Sequence, residues 1–266
     1  MSQSTYALDN DQKGAGTTLS WLAQVIDPHS WGVVEPLIPV GGRYLELGAG
    51  TGSIAKRAAD KVGAAGLAVA TDINTKHIQP HEFLNVVTHD LQTDPISDLD
   101  PELWNAIRAR CLFAHLGKRD TLVAPLADAL KPGGHLVIED WGATGGGFVL
   151  RSPYKRTEVL FQQYQAALMA YLRSAGNDGT WIQRAHKLMV EAGLEVTTFT
   201  SAKSWNGRSP GCKLPISMSI QIEEHLVEHG MGRDDIYELR DHLNDPDVVL
   251  MGNLTWSFVG RKPVEG

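Results

Sequence analysis

From Arg43 onward the chain alternates short apolar runs with longer stretches of helical spacing. Arg43-Tyr44-Leu45-Glu46-Leu47, Leu67-Ala68-Val69-Ala70-Thr71 and Leu84-Asn85-Val86-Val87-Thr88 each read as a strand, as do 104–109 and 135–139. Helical spacing fills the intervals 53–62 and 120–130, the second closed by Lys131-Pro132-Gly133-Gly134. Parallel strands need a long crossover, so this alternation predicts a parallel sheet with helices on both faces. Two further strands, 194–200 and 254–259, would complete a seven-stranded α/β sheet of Rossmann-like type. Ahead of it, Leu19, Leu22, Ala23 and Ile26 mark a helix that Asp27-Pro28 is expected to end, with a shorter one over about 30–38.

After Trp141 the pattern changes. Gly142 to Gly147 reads as a flexible segment, followed by a long amphipathic helix over about 155–174 and another over 181–192. A Ser/Gly/Pro-rich loop is expected at 201–215, then helices at about 216–229 and 233–243. The expected organisation is an N-terminal helical arm (1–40), a cofactor-binding core (41–141), lid helices (142–192) and a closing segment (193–266) that completes the sheet around the inserted helices 216–243. Ligands bind at the carboxyl ends of strands in such sheets, so the inserted helices read as a lid.

The strongest chemical signal is Leu45-Glu46-Leu47-Gly48-Ala49-Gly50-Thr51-Gly52, between a strand and a helix. Glycines let the backbone turn sharply and approach a ligand without a Cβ in the way, and the next helix aims its N-terminal N–H groups there. Dinucleotide folds use G-x-G-x-x-G; here the spacing is G-x-G-x-G, with Glu46 two residues ahead. A carboxylate there repels a pyrophosphate and suits the ammonium and sulfonium of S-adenosylmethionine, which disfavours an NAD(P)-dependent oxidoreductase. Asp72, ending the second strand, can accept ribose hydroxyls, although strand-terminal Asp often caps a helix. Asp90, ending the third, can accept the exocyclic amine of adenine with Leu91 and Ile73 on either side of the ring, or can serve as a turn residue.

Charge narrows the partners. The 266 residues carry 31 Asp or Glu and 24 Lys or Arg, a net −7, with no dense basic run, which disfavours nucleic acid and anionic membranes. No apolar run approaches the ~20 residues that span a bilayer, and the N-terminus lacks signal-peptide features, so a cytoplasmic location is expected. Cys111 and Cys212 are too few and too far apart for a disulfide framework. His225 and His229 have the i, i+4 spacing of a two-His site, but no carboxylate motif accompanies them and no metal is expected.

Several runs resemble the class I methyltransferases that act on small molecules in actinobacteria: Tyr6-Ala-Leu-Asp-Asn10, Tyr44 to Ala55, Ala109 to Leu116, Leu130 to Asp140 and Trp256 to Pro263. The resemblance spans nearly the whole chain and implies S-adenosylmethionine as cofactor. It places Glu46, Gly48 and Gly50 at the methionine half, Asp72 on the ribose, and Asp90 and Leu91 at the adenine, with Ala49, Gly52 and Ile73 counted among the cofactor-binding residues. It further implies that the backbone near Ala109 accepts the methionine ammonium and that the arm with Tyr6 folds over the cofactor. Thr71-Asp72-Ile73-Asn74 departs from the frequent Asp-x-Asp/Glu, which removes an expected second ribose contact. Relatives of this kind methylate oxygen, nitrogen or carbon, often in secondary metabolism such as antibiotic biosynthesis, and a few retain the cofactor for cyclisation or other reactions.

Methyl transfer needs a base only when the acceptor carries a proton. His115, with a pKa suited to neutral pH, and Asp140 lie near the ends of the fourth and fifth strands. Trp141, Tyr154 and Phe161 are candidates for an aromatic acceptor pocket. The stripe Phe161, Tyr164, Tyr171 equally suits a core or a homodimer face.

Overall fold

A computed structural model describes residues 14–142 and 146–264. In chain order it contains α1 (Ala15–Val34), β1 (Arg43–Leu47), α2 (Ser53–Val62), β2 (Leu67–Asp72), β3 (Leu84–Thr88), β4 (Trp104–Arg110), α3 (Arg119–Asp128), β5 (Leu130–Trp141) and β6 (Phe148–Arg151). There follow α4 (Thr157–Ser174), α5 (Ile182–Glu191), β7 (Glu195–Ser201), β8 (Ser204–Asn206), α6 (Pro210–Gln221), α7 (Glu223–Glu228), α8 (Arg233–Leu243), β9 (Val249–Met251) and β10 (Thr255–Arg261).

All seven predicted strands enter one sheet, ordered β3-β2-β1-β4-β5-β10-β7. β1 pairs in parallel with β2 and β4, β2 with β3, and β4 with β5. β10 runs against β5: Gly133 N donates to Lys262 O and Lys262 N to Gly134 O, while Ser257 lies beside Glu139 at the other end. The central strands are buried on both faces, which is why they read as nearly continuous apolar runs. Leu45, Leu47, Ile107 and Ile138 pack with Val123 and Leu126 of α3 and with Ile182 and Met189 of α5. Tyr44, Ala68, Ala70 and Val137 pack on the other face with Ile54, Ala55, Ala58 and Val62 of α2.

The described residues form two compact units. One holds the sheet and comprises Asp27–Asp140, Thr180–Thr200 and Trp256 onward; the other comprises the chain up to Ile26, Trp141–Gly179 and Ser201–Thr255. In the second unit a three-stranded antiparallel sheet, β6-β9-β8, accompanies a core of Leu160, Phe161, Tyr164, Leu226, Leu239 and Leu250.

Four expectations need correction. α1 does not stop at Asp27-Pro28 but continues to Val34. Pro28 removes one intrahelical bond, yet its neighbours are held: Arg110 Nη1 donates to Asp27 Oδ1 (2.5 Å) and His29 Nε2 lies 2.9 Å from Ser257 Oγ. Pro28→Ala should therefore raise stability by about 1–3 kcal/mol, since alanine restores the missing donor; a lowered thermal midpoint would show that Pro28 is needed.

The helix over 182–191, expected in the lid, belongs to the sheet unit. Ile182, Ala185 and Met189 are buried there, Arg184 pairs with Asp120 of α3, and Trp181 stacks on Phe113 with centroids 4.9 Å apart. Residues 201–215 are not all loop, because β8 lies within them and α6 begins at Pro210, whose fixed φ suits a first helical position. The single helix expected over 216–229 is divided at Ile222 into α6 and α7.

Candidate cofactor site

β1 ends at Leu47, and the backbone then takes a left-handed conformation at every second residue: Gly48 (φ 62°), Gly50 (φ 59°) and Gly52 (φ 69°). L-residues with a Cβ avoid that region. A Cβ on Gly48 would lie 3.0 Å from Leu112 Cδ1, and one on Gly52 only 2.8 Å from Ile78 Cγ2. The loop is tied to the end of β2, where Ala49 N donates to Thr71 O (2.8 Å) and Gly50 N to Asp72 Oδ2 (2.9 Å). Gly52 is the N-cap of α2 and supplies no side-chain cap, so the helix presents first-turn N–H groups beside the glycines. Ser53 Oγ, in that turn, is buried without a partner among the described residues.

Asp72 is 7% exposed, and its Oδ1 accepts from Asn74 N (3.0 Å). Burial raises its pKa, against the lowering effect of the Asn74 and Gly50 N–H groups. Next to it Ile73 is 48% exposed, an apolar side chain left in water at the strand's exit. The neighbouring strand end is fastened by His89 N, which donates to Asp72 O (3.1 Å). Asp90 caps its own turn, accepting from Gln92 N (2.9 Å), and Leu91 is buried in the sheet core. Ala109 is buried opposite Leu47 in the β1–β4 register. These features fit a nucleoside cofactor: a loop whose turns a Cβ would fill, an orphaned hydroxyl, and carboxylates at adjacent strand ends beside an exposed apolar side chain.

Glu46 has a setting that single-strand reading missed. It is 2% exposed, Arg108 Nη1 donates to its Oε1 (2.5 Å), and Tyr44 Oη donates to its Oε2 (3.1 Å). Arg108, fully buried and directly across from Glu46 in the register, also donates to Glu139 Oε2 through Nη2 (2.7 Å) and Nε (3.1 Å). Ser257 Oγ donates to Glu139 Oε1 (3.1 Å). Burial pushes Glu46 above the usual carboxylate range despite Arg108, whereas for Glu139 the opposing burial effect is outweighed by Arg108 and hydrogen bonds, which hold it below. The available signal was an arginine inside an otherwise apolar strand, Trp104-Asn105-Ala106-Ile107-Arg108.

His115 departs from its expected neutral-range pKa. Burial, helped by the charge of Arg119, pushes it down to about 4. Asp140 is 4% exposed and accepts from Ala114 N (3.2 Å), anchoring the loop after β4.

In the second unit, Trp141 Nε1 donates to Thr255 Oγ1 (2.9 Å). Tyr154 donates to Asp245 (2.6 Å) and stacks on His242 with centroids 4.0 Å apart. Phe161, expected in a pocket wall, is instead 6% exposed in the core beside Leu160 and Tyr164, because it lies on the buried face of α4. Tyr6 lies outside the described residues. His225 pairs with Glu228 and stacks on Tyr171, while His229 Nδ1 lies 2.8 Å from His225 O. No cluster of three or more His, Cys, Asp or Glu suited to a metal ion occurs among the described residues, and none of their helices is long and apolar enough to cross a membrane.

Residues 31–198 match the family described as "Methyltransferase domain", and the chain belongs to that family, the class I S-adenosylmethionine-dependent methyltransferases. S-adenosylmethionine is accordingly its cofactor. The fold is similar to that of a candidate methyltransferase of Bacillus halodurans (TM-score 0.54, 16% identity, covering 89% of this chain and 100% of that one). It is also similar to the YcgJ protein of Bacillus subtilis (0.54, 13%, 90% and 100%). A third similar structure is phosphoethanolamine N-methyltransferase 2 of Haemonchus contortus, solved with phosphomonomethylethanolamine and S-adenosylhomocysteine (0.55, 14%, 99% and 61%). None of the curated proteins matches the chain in sequence.

Proposed function

We propose that the protein methylates an oxygen, nitrogen or carbon of a small organic acceptor, in secondary metabolism of the kind that makes antibiotics. The observation that carries the cofactor placement is the row of left-handed glycines fastened to Asp72 at the paired exits of β1 and β2. In this reading Asp72 accepts the ribose hydroxyls and Asp90 the adenine amine, with Ile73 and Leu91 against the ring. Gly48, Ala49, Gly50 and Gly52 give the methionine half its close approach, the carbonyl at Ala109 accepts its ammonium, and Glu46 supplies the counter-charge. The bound cofactor supplies an electrophilic methyl, so the chain's own task is alignment and exclusion of water. The net charge of −7 supports an acceptor that is neither nucleic acid nor an anionic surface.

His115 remains neutral across the physiological range and can hydrogen-bond an acceptor hydroxyl, while Asp140 keeps its loop in place. The rate should show no limb near 6.5, the ordinary histidine value. Because the folded-state pKa of His115 is depressed, its stabilising contribution is complete above pH 6.5 and is lost as pH falls toward about 4. His115→Gln should flatten that part of the stability profile; an unchanged slope would mean another group causes it.

The reading is tested by calorimetry with S-adenosylmethionine and S-adenosylhomocysteine, and by transfer of labelled methyl to a panel of phenols, amines and acidic carbon compounds. Binding with label in a product supports it. Absence of heat with both ligands on folded protein overturns it.

A further inference from the structure

We propose that Arg108 and Glu139 are positioning residues for Glu46, and that the unmatched negative charge of this buried trio is the counter-ion for the ammonium on the amino-acid end of the cofactor. This rests on the reading of the site as one for S-adenosylmethionine.

Two carboxylates share one guanidinium. Arg108 is fully buried, Glu139 fully buried and Glu46 2% exposed, so solvent screens little of the imbalance. The next cation, Arg110, is matched by Asp27 at 2.5 Å. Tyr44 contributes a neutral donor to Glu46, and Ser257 a neutral donor to Glu139. His29 reaches the trio at its far end, 3.7 Å from Glu139 Oε1. The charge left over therefore falls on Glu46, two residues ahead of the glycine loop. Arg108 fixes the direction of that carboxylate from the opposite strand, and Glu139 holds the guanidinium by two of its nitrogens. A cation brought to Glu46 completes the pairing that Arg108 alone cannot.

The test compares two probes that share the nucleoside thioether: S-adenosylhomocysteine, which carries the ammonium, and 5′-methylthioadenosine, which lacks the amino-acid end. Glu139→Gln leaves Glu46 and Arg108 as a balanced pair. This variant should lose about tenfold in affinity for S-adenosylhomocysteine and almost none for 5′-methylthioadenosine. Ser257→Ala, which removes a hydrogen bond but no charge, should leave the affinity ratio of the two probes as in the wild type.

Equal losses for both probes in Glu139→Gln, or an unchanged ratio, would overturn the inference while wild-type binding keeps the cofactor reading. Failure of wild-type protein to bind either probe would overturn the cofactor reading itself. If Glu139→Gln does not fold, Glu46→Gln, which likewise leaves one carboxylate against the Arg108 guanidinium, should show the same selective loss for S-adenosylhomocysteine, and an unchanged ratio of the two probes would overturn the proposal.

Discussion

Asp72→Ala should weaken binding of S-adenosylhomocysteine by roughly 10–100-fold and independently lower the stability of the free protein. The two effects have separate sources. Without ligand, the carboxylate already satisfies Gly50 N and Asn74 N, at 2.9 and 3.0 Å. Removing it strands two amide donors in a site only 7% exposed, which should cost about 1–3 kcal/mol, or about 2–10 °C in thermal midpoint for a chain of this size. That loss is common to free and bound protein and does not enter the affinity.

The affinity loss comes from the remaining lone pairs, which in the proposed site accept the ribose hydroxyls; losing a charged acceptor is worth about 1.5–3 kcal/mol. Asp72→Asn separates the contributions further. One oxygen remains, but the new amide must point a donor at either the Gly50 or the Asn74 N–H. Its stability should therefore fall at least as far as that of alanine, with a smaller loss of affinity. Differential scanning fluorimetry and calorimetry on the two variants give both numbers. Unchanged affinity in both would place the ribose elsewhere, whatever happens to stability.

The sheet was legible because its strands are buried on both faces and carry their hydrophobicity in one dimension: Leu67 to Thr71 needs no knowledge of its neighbours to read as a core strand. β6, β8 and β9, at three or four residues each, are too short for any period to register. The helix through Pro28 could not be read because its support lies in Arg110 and Ser257, distant in sequence. The glycine loop was visible as spacing alone, since left-handed turns select glycine residue by residue. The Glu46–Arg108 pair depends on which strands lie side by side and in what register, information present in neither strand alone. Phe161 shows the converse limit. Periodicity found its helix and its apolar face, but whether that face meets a core or a ligand is decided by what packs on it.

Gly52→Ala should be the most destabilising single-atom addition in the cofactor loop, at about 2–5 kcal/mol. A left-handed backbone costs an L-residue about 1–2 kcal/mol, and Gly52 stands at φ 69°. Overpacking adds about 1–3 kcal/mol, because the new Cβ would lie 2.8 Å from Ile78 Cγ2, itself buried at 7% exposure. The two terms can be divided by Ile78→Leu, which removes the β-branch methyl while conserving side-chain volume. The double variant should recover the steric part and leave the backbone part, giving a coupling of about 1–3 kcal/mol in a double-mutant cycle. Strict additivity would mean that the loop shifts away from Ile78 and that conformation alone selects glycine there. Such a shift would move Gly50 N relative to Asp72, so cofactor affinity would then fall in the single variant and stay low in the double. If instead the clash dominates, affinity should return with stability when Ile78 is trimmed, because the tether from Gly50 to Asp72 can re-form once the overlap is gone.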